Sequence, residues 1–284
     1  LSDVNDIDAE LLDVWNSNTF GRSLCEELSE NQALIEQYHR EDARLLGLDR
    51  NEHLAECLRG NRYFNQYEAL QIRVADIIAE RQIRVWHYTR LLDFEITAMK
   101  NAIEVSTEEG MQARLTELER RGHLSAVEVQ MLLERSALKT QKECRENRFF
   151  CVPSPMSVTE RGVELLLRNW GGEVVYFHQQ DEDLLQKLQE LGLPRVIEIA
   201  AKVSDSMSRY SLADCVLNTY AVDLGFPLCP TNTDLCIKEN PPPAKVLAVH
   251  TQGEQAFHQL GCGYPDGAEV LRSRHGRWNK SFDG

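Results

Sequence analysis

The chain has 284 residues, 42% hydrophobic and 27% charged, with a formal net charge of −14. That balance suits a globular protein with a sizeable core, built as one large domain or two modest ones. No run of about 18 apolar residues occurs, which excludes a helical membrane span, and the surplus of negative charge disfavours bulk nucleic-acid binding by repelling phosphate.

The acidic N-terminus lacks the basic-then-apolar pattern of a secretory signal, and the chain begins at Leu1 rather than Met, as a trimmed or partial chain would. Residues 1–80 carry 17 acidic and 7 basic side chains, a net of −10, whereas residues 81–284 carry 28 and 24, a net of −4. Such an acidic segment reads as a solvated helix surface, or as a regulatory or docking module. Within it Leu24, Leu28, Leu34, Ile35, Tyr38, Leu45 and Leu46 recur at helical spacing, with Ser23 and Glu26 as a capping box and Gly47 as a stop. A further helix is expected over Asn65–Glu80, with Leu70, Val74, Ile77 and Ile78 inward.

The β-prone run from Arg84 ends in His87-Tyr88-Thr89-Arg90 and passes into a helical stretch, Asp93 to Ala102. Met111, Leu115 and Leu118 before Gly122, then Val127, Val129, Leu132 and Leu133, predict a helical hairpin inserted at about 107–140. Strands are expected at 148–152, 173–177, 195–199 and 245–249, and helices at Val158–Asn169 and Asp181–Leu191. The stretch Phe226–Pro243, rich in Pro, Asn and Thr, reads as a loop. The fold class is therefore α+β, an acidic helical region (1–80) followed by an α+β domain (81–284).

Eight scattered cysteines with no CxxC pair predict reduced, mostly buried thiols in a cytoplasmic protein. Cys229, Cys236 and Cys262 with His250 or His258 are a weaker zinc candidate, because their spacing matches no established pattern. The tail from Arg272 to Lys280, with four basic residues, offers a small positive patch.

Three segments bear chemistry: His87 to Arg90, Phe149 to Ser157, and Trp170-Gly171-Gly172-Glu173. Strand ends display side chains to ligands, paired glycines allow a tight turn or a close approach, and a carboxylate beside an indole suits acid/base or cation-stabilising work. Each has a plain structural reading as well. A lone strand histidine is more often packed in the core, and Glu173 could simply pair with an arginine such as Arg148 or Arg168.

In this order, over residues 83–180, the segments resemble the ADP-ribosyltransferase family, in its His-Tyr-Glu branch of bacterial-toxin type. The resemblance implies a split β-sheet domain and NAD as the consumed cosubstrate. It places His87, with Tyr88, Thr89 and Arg90, at the ribose-binding strand, and Glu173 as the catalytic carboxylate that steadies an oxocarbenium-like sugar. The middle segment has no tyrosine, so Phe149 or Phe150 would supply the stacking face and Ser154 or Ser157 the hydroxyl. It also implies transfer to a macromolecular acceptor, a protein rather than a nucleic acid given the acidity, as in a toxin or anti-phage effector, with a docking or inhibitory partner at the acidic helices. The competing expectation is a catalytically degenerate transferase fold serving as a protein-interaction module.

Overall fold

A computed structural model describes residues 11–49, 51–205, 208–228, 233–238 and 245–268. In chain order the elements are β1 (Leu11–Leu12), α1 (Arg22–Glu30), α2 (Gln32–Leu46), α3 (Leu54–Arg59), α4 (Phe64–Ile78), β2 (Gln82–Leu91) and α5 (Asp93–Asn101). The hairpin follows as α6 (Glu108–Arg120) and α7 (Ala126–Glu134), then the short α8 (Ala137–Thr140) and α9 (Lys142–Arg145). After these come β3 (Arg148–Cys151), α10 (Arg161–Arg168), α11 (Glu173–Tyr176), α12 (Glu182–Glu190) and β4 (Leu193–Lys202). The chain continues through α13 (Arg209–Asp223), β5 (Leu235–Lys238), β6 (Lys245–Thr251) and α14 (Gln255–Gln259). The class is α+β.

The main sheet runs β1-β2-β4-β6, and a separate ribbon pairs β3 with β5. β2 and β4 are antiparallel over their full length, from Gln82↔Lys202 to Leu91↔Leu193. One face of this sheet (Ile83, Val85, Ile197, Ile199) shares an apolar cluster with Leu24, Leu28 and Ile35 of the N-terminal helices and with Leu212 and Val216 of α13. The acidic helices therefore cover the sheet with their apolar stripe, which is what stabilises helices of this length. The other face packs Trp86, Tyr88 and Val196 against Val163 and Leu167 of α10. A third cluster joins α6, α7 and α12 around Trp170 and Val175.

The hairpin forms where its spacing predicts, each helix with a capped start. Thr107 Oγ1 accepts from the Gly110 amide at 2.9 Å, and Ser125 and Glu128 form a reciprocal capping box. No described helix is long and apolar enough to cross a membrane.

Four expectations change. The run 173–177 is a helical turn, α11, instead of a strand: Gly171 and Gly172 take φ of +84° and +66°, and the amides of Val175 and Tyr176 return to the Gly172 carbonyl at 3.0 and 3.2 Å. Val175 is then buried in the helical cluster, so tertiary packing overrides the β-propensity of this run. The expected loop 226–243 contains β5, which pairs Ile237 with Phe149, while its residues 229–232 and 239–243 lie outside the described residues, with Cys229 and the basic tail. Helix α1 starts from Gly21 without a side-chain cap, which places Ser23 inside the first turn instead of at the cap. Of the seven described cysteines, Cys151, Cys215 and Cys236 are buried, whereas Cys25 and Cys144 are exposed.

Candidate functional site

The site is created by a failure of pairing. Trp86 and Val152 exchange both backbone hydrogen bonds at 2.9 Å, joining β2 to the end of β3. Continued pairing would next match Tyr88 with Phe150. Instead the Phe150 carbonyl accepts from His87 Nδ1 at 2.8 Å, while the same edge of β3 meets Ser106 at Arg148 and its other edge pairs with β5. Ladder alternation then aims the N–H and C=O of Tyr88 away from β4 and into the gap. The gap opens into a cavity of about 1040 Å³, walled by β2, α5, α6, α9, α10 and the Gly171–Gly172 turn.

His87 lies within this cavity, partly open to it, with Phe149 behind, ring centres 4.5 Å apart. A carbonyl only accepts, so Nδ1 carries the proton and Nε2 keeps its lone pair. Desolvation by the cavity walls lowers the His87 pKa to about 4, opposed by the Phe150 bond and assisted by the positive charge of Arg114. His87 is thus a neutral acceptor near pH 7, suited to a hydroxyl donor. Its folded value lies below the ordinary 6.5, so falling pH charges the unfolded chain first, and stability declines as pH drops from about 6.5 toward 4. An NMR titration should find the His87 midpoint near 4; a midpoint at 6.5 would show a solvated ring.

Glu173 lines the same cavity. Its turn is held in place from two sides. Built on Gly171, a Cβ would meet Val175 Cγ2 at 2.4 Å, so only glycine passes there. Trp170, just before it, is buried and donates from Nε1 to Glu95 Oε2 at 2.8 Å. The same oxygen accepts from the Leu92 amide at 2.9 Å, while Glu95 Oε1 accepts from Arg114 Nε and Nη2 at 3.0 and 2.7 Å. Arg114 in turn sits 4.7 Å over the Trp170 ring. Glu95 therefore ties the end of the His87 strand, the inserted hairpin and the Glu173 turn together. The Glu173 carboxylate pairs with Arg145 Nη1 at 2.5 Å, not with Arg148 or Arg168; Arg168 pairs with Glu164.

Of the residues expected to bind NAD, the cavity gathers His87, Tyr88, Thr89 and Phe150 with Glu173. Tyr88 contributes its backbone. Its hydroxyl is committed elsewhere, donating to the Met156 carbonyl and accepting from the Met156 amide, both at 2.7 Å, which clamps the segment after β3. Arg90 is on the opposite face of β2 from His87, with Nε bonded to the Leu191 carbonyl at 2.8 Å. Ser154 is buried outside the cavity, and Ser157 bonds Thr159. His178 turns to Thr140 at 2.9 Å.

The cavity is also lined from β3 by Arg148, expected only as an ion-pair partner of Glu173, and from three helices by Glu95, Arg114 and Arg145, which sequence reading did not find. Only the Asp93–Glu95 acidic first turn of α5 hinted at any of them. Among the described residues no group of three or more His, Cys, Asp or Glu side chains is placed to hold a metal ion. His250, one of the zinc candidates, donates to the buried Glu198 at 2.7 Å, and Arg84 bridges Glu198 to Asp13 at 2.9 Å each. That network is fully paired on the sheet face opposite His87 and reads as a structural tie of β1, β2, β4 and β6. Comparisons with family models, curated proteins and solved structures find nothing that matches this chain.

Proposed function

We propose that the chain is an NAD-dependent ADP-ribosyltransferase, which cleaves the nicotinamide glycosidic bond and passes ADP-ribose to a protein acceptor. One observation carries the reading: a single cavity gathers a neutral histidine acceptor, an unpaired strand edge, an aromatic side chain and a carboxylate. Each matches a part of NAD. The Nε2 of His87 accepts from a ribose hydroxyl. The N–H and C=O of Tyr88 offer a carboxamide the donor and acceptor of an adjoining strand. Phe150, 40% exposed at the cavity wall, offers a stacking face for a heteroaromatic ring. Glu173 lines the cavity together with Glu95, Glu104, Glu117 and Asp234, and its carboxylate would face the developing positive charge on C1′.

Nicotinamide leaves as a neutral molecule, since the breaking bond returns its electron pair to a ring nitrogen that was cationic. No general acid is needed, which suits a site whose histidine is neutral, with its one N–H committed to the Phe150 carbonyl.

The test is release of nicotinamide from NAD by the purified chain, followed with labelled NAD in a cell lysate to see whether label enters protein. His87→Ala should raise the Kd for NAD by about tenfold or more while lowering kcat less, because a ribose contact made equally in ground and transition states affects binding alone. A loss confined to kcat would instead place His87 at the reacting centre. The second reading, an interaction module on a degenerate fold, draws on the ion pair that occupies Glu173; absence of NAD binding in calorimetry would favour it.

A further inference from the structure

Glu173 is not free in this structure, and its partner belongs to the cavity. Arg145 Nη1 lies 2.5 Å from the carboxylate, and a guanidinium at contact distance offsets the field that the carboxylate would place on a cationic sugar. Arg145 is also held independently of Glu173. Its Nε donates to Gln141 Oε1 at 2.6 Å, and the guanidinium lies 5.4 Å over the Phe177 ring. It would thus keep its place if the carboxylate left. Arg148, three residues on, lines the same cavity. It donates to the Glu143 carbonyl and, among the described residues, makes no ion pair with a carboxylate. One corner of the cavity therefore carries a guanidinium outside any ion pair among the described residues beside one whose counter-ion is the proposed catalytic group. Such a corner attracts an anion with several acceptor oxygens.

Resting on the NAD reading, we propose that Arg145 determines specificity for phosphate-bearing substrates: the substrate diphosphate, anchored by Arg148, takes Arg145 over from Glu173 and thereby frees the carboxylate to face C1′. A nucleoside without phosphates leaves the ion pair intact and meets a neutralised carboxylate. Binding of the correct substrate assembles its own catalytic group, which is a route to discrimination beyond contact affinity.

The test compares hydrolysis of NAD with that of nicotinamide riboside, which has the same scissile bond and no phosphate. In both, the bond from C1′ to the nicotinamide ring nitrogen breaks with its electron pair going to that nitrogen. Water then adds its oxygen to C1′ and releases a proton. The unaltered chain should prefer NAD by on the order of a thousandfold in kcat/KM, and added inorganic pyrophosphate should raise riboside turnover by about tenfold or more. Arg145→Gln should move the two substrates in opposite directions, with riboside turnover rising by about tenfold and kcat/KM for NAD falling by about tenfold or more, chiefly through KM. Pyrophosphate stimulation should vanish in that variant. Arg148→Gln should raise the pyrophosphate concentration needed by about tenfold. Thermal melting of each variant separates these effects from misfolding.

If Arg145→Gln slows both substrates equally, or pyrophosphate inhibits riboside turnover, Arg145 merely positions Glu173 and the proposal fails while the NAD reading stands. If the unaltered chain neither binds NAD nor releases nicotinamide, the NAD reading fails and takes this inference with it.

Discussion

Glu173→Gln is expected to lower nicotinamide release from NAD by about 10² to 10³-fold, the scale on which removal of one preorganised electrostatic partner of a transition state acts. The change removes a charge and almost no volume. A glutamine carbonyl still accepts from Arg145, and the side chain is 43% exposed, so little desolvation is at stake. Thermal stability should stay within a few degrees of the original, and NAD binding should change little, since the positive charge at C1′ that the carboxylate faces develops only as the glycosidic bond breaks. Steady-state release of nicotinamide, with calorimetric binding of NAD alongside, checks both halves. Unchanged turnover in the variant would remove Glu173 from the chemistry and leave the cavity as a binding site alone.

Glu95→Ala carries the second large effect, on stability. The substitution strips four N–H donors of their acceptor: the Leu92 amide, the Trp170 indole and two from Arg114. Arg114 is 39% exposed and regains water readily, so most of the cost comes from the buried indole and the amide. A loss of about 3 kcal/mol follows, each buried donor left unsatisfied costing roughly 1–3 kcal/mol. Glu95→Gln, which keeps one acceptor oxygen, should lose less. Urea denaturation measures both, and a cost under about 0.5 kcal/mol for the alanine variant, the ordinary surface range, would show that Glu95 does not hold the three elements together. Because Trp170 leads directly into Gly171, the same variant should also loosen the Glu173 turn and depress turnover.

These two residues show where sequence reading reaches and where it stops. Glu173 was legible because it stands in a compact local pattern: an indole, two glycines and a carboxylate. Glu95 was not, because apart from the neighbouring Leu92 amide its partners lie at 114 and 170, and no local pattern links positions so far apart. His87 was legible as a strand-end histidine. Its bond to the Phe150 carbonyl, which fixes the ring in the cavity, depends on a contact 63 residues away.

By itself the sequence determined the helical stripes over Leu24–Leu46 and Asn65–Glu80, the inserted hairpin, and the cores of β2, β3, β4 and β6, while α3 went unread. Those elements follow from periods of 3.6 and 2 in apolar side chains and from caps that act over a single turn. Tertiary structure alone decided that residues 173–176 close a helical turn, that 235–238 pair with β3, and that Tyr88 and Arg90 spend their side chains outside the cavity. It also decided that Arg145, on a four-residue helix with no signal of its own, would meet the carboxylate. The three short segments share one physical reason, whereas the side chains of Tyr88 and Arg90 are claimed by the Met156 and Leu191 carbonyls. Short segments hold too few hydrogen bonds and too little apolar area to choose their own conformation, so the choice passes to whatever packs against them.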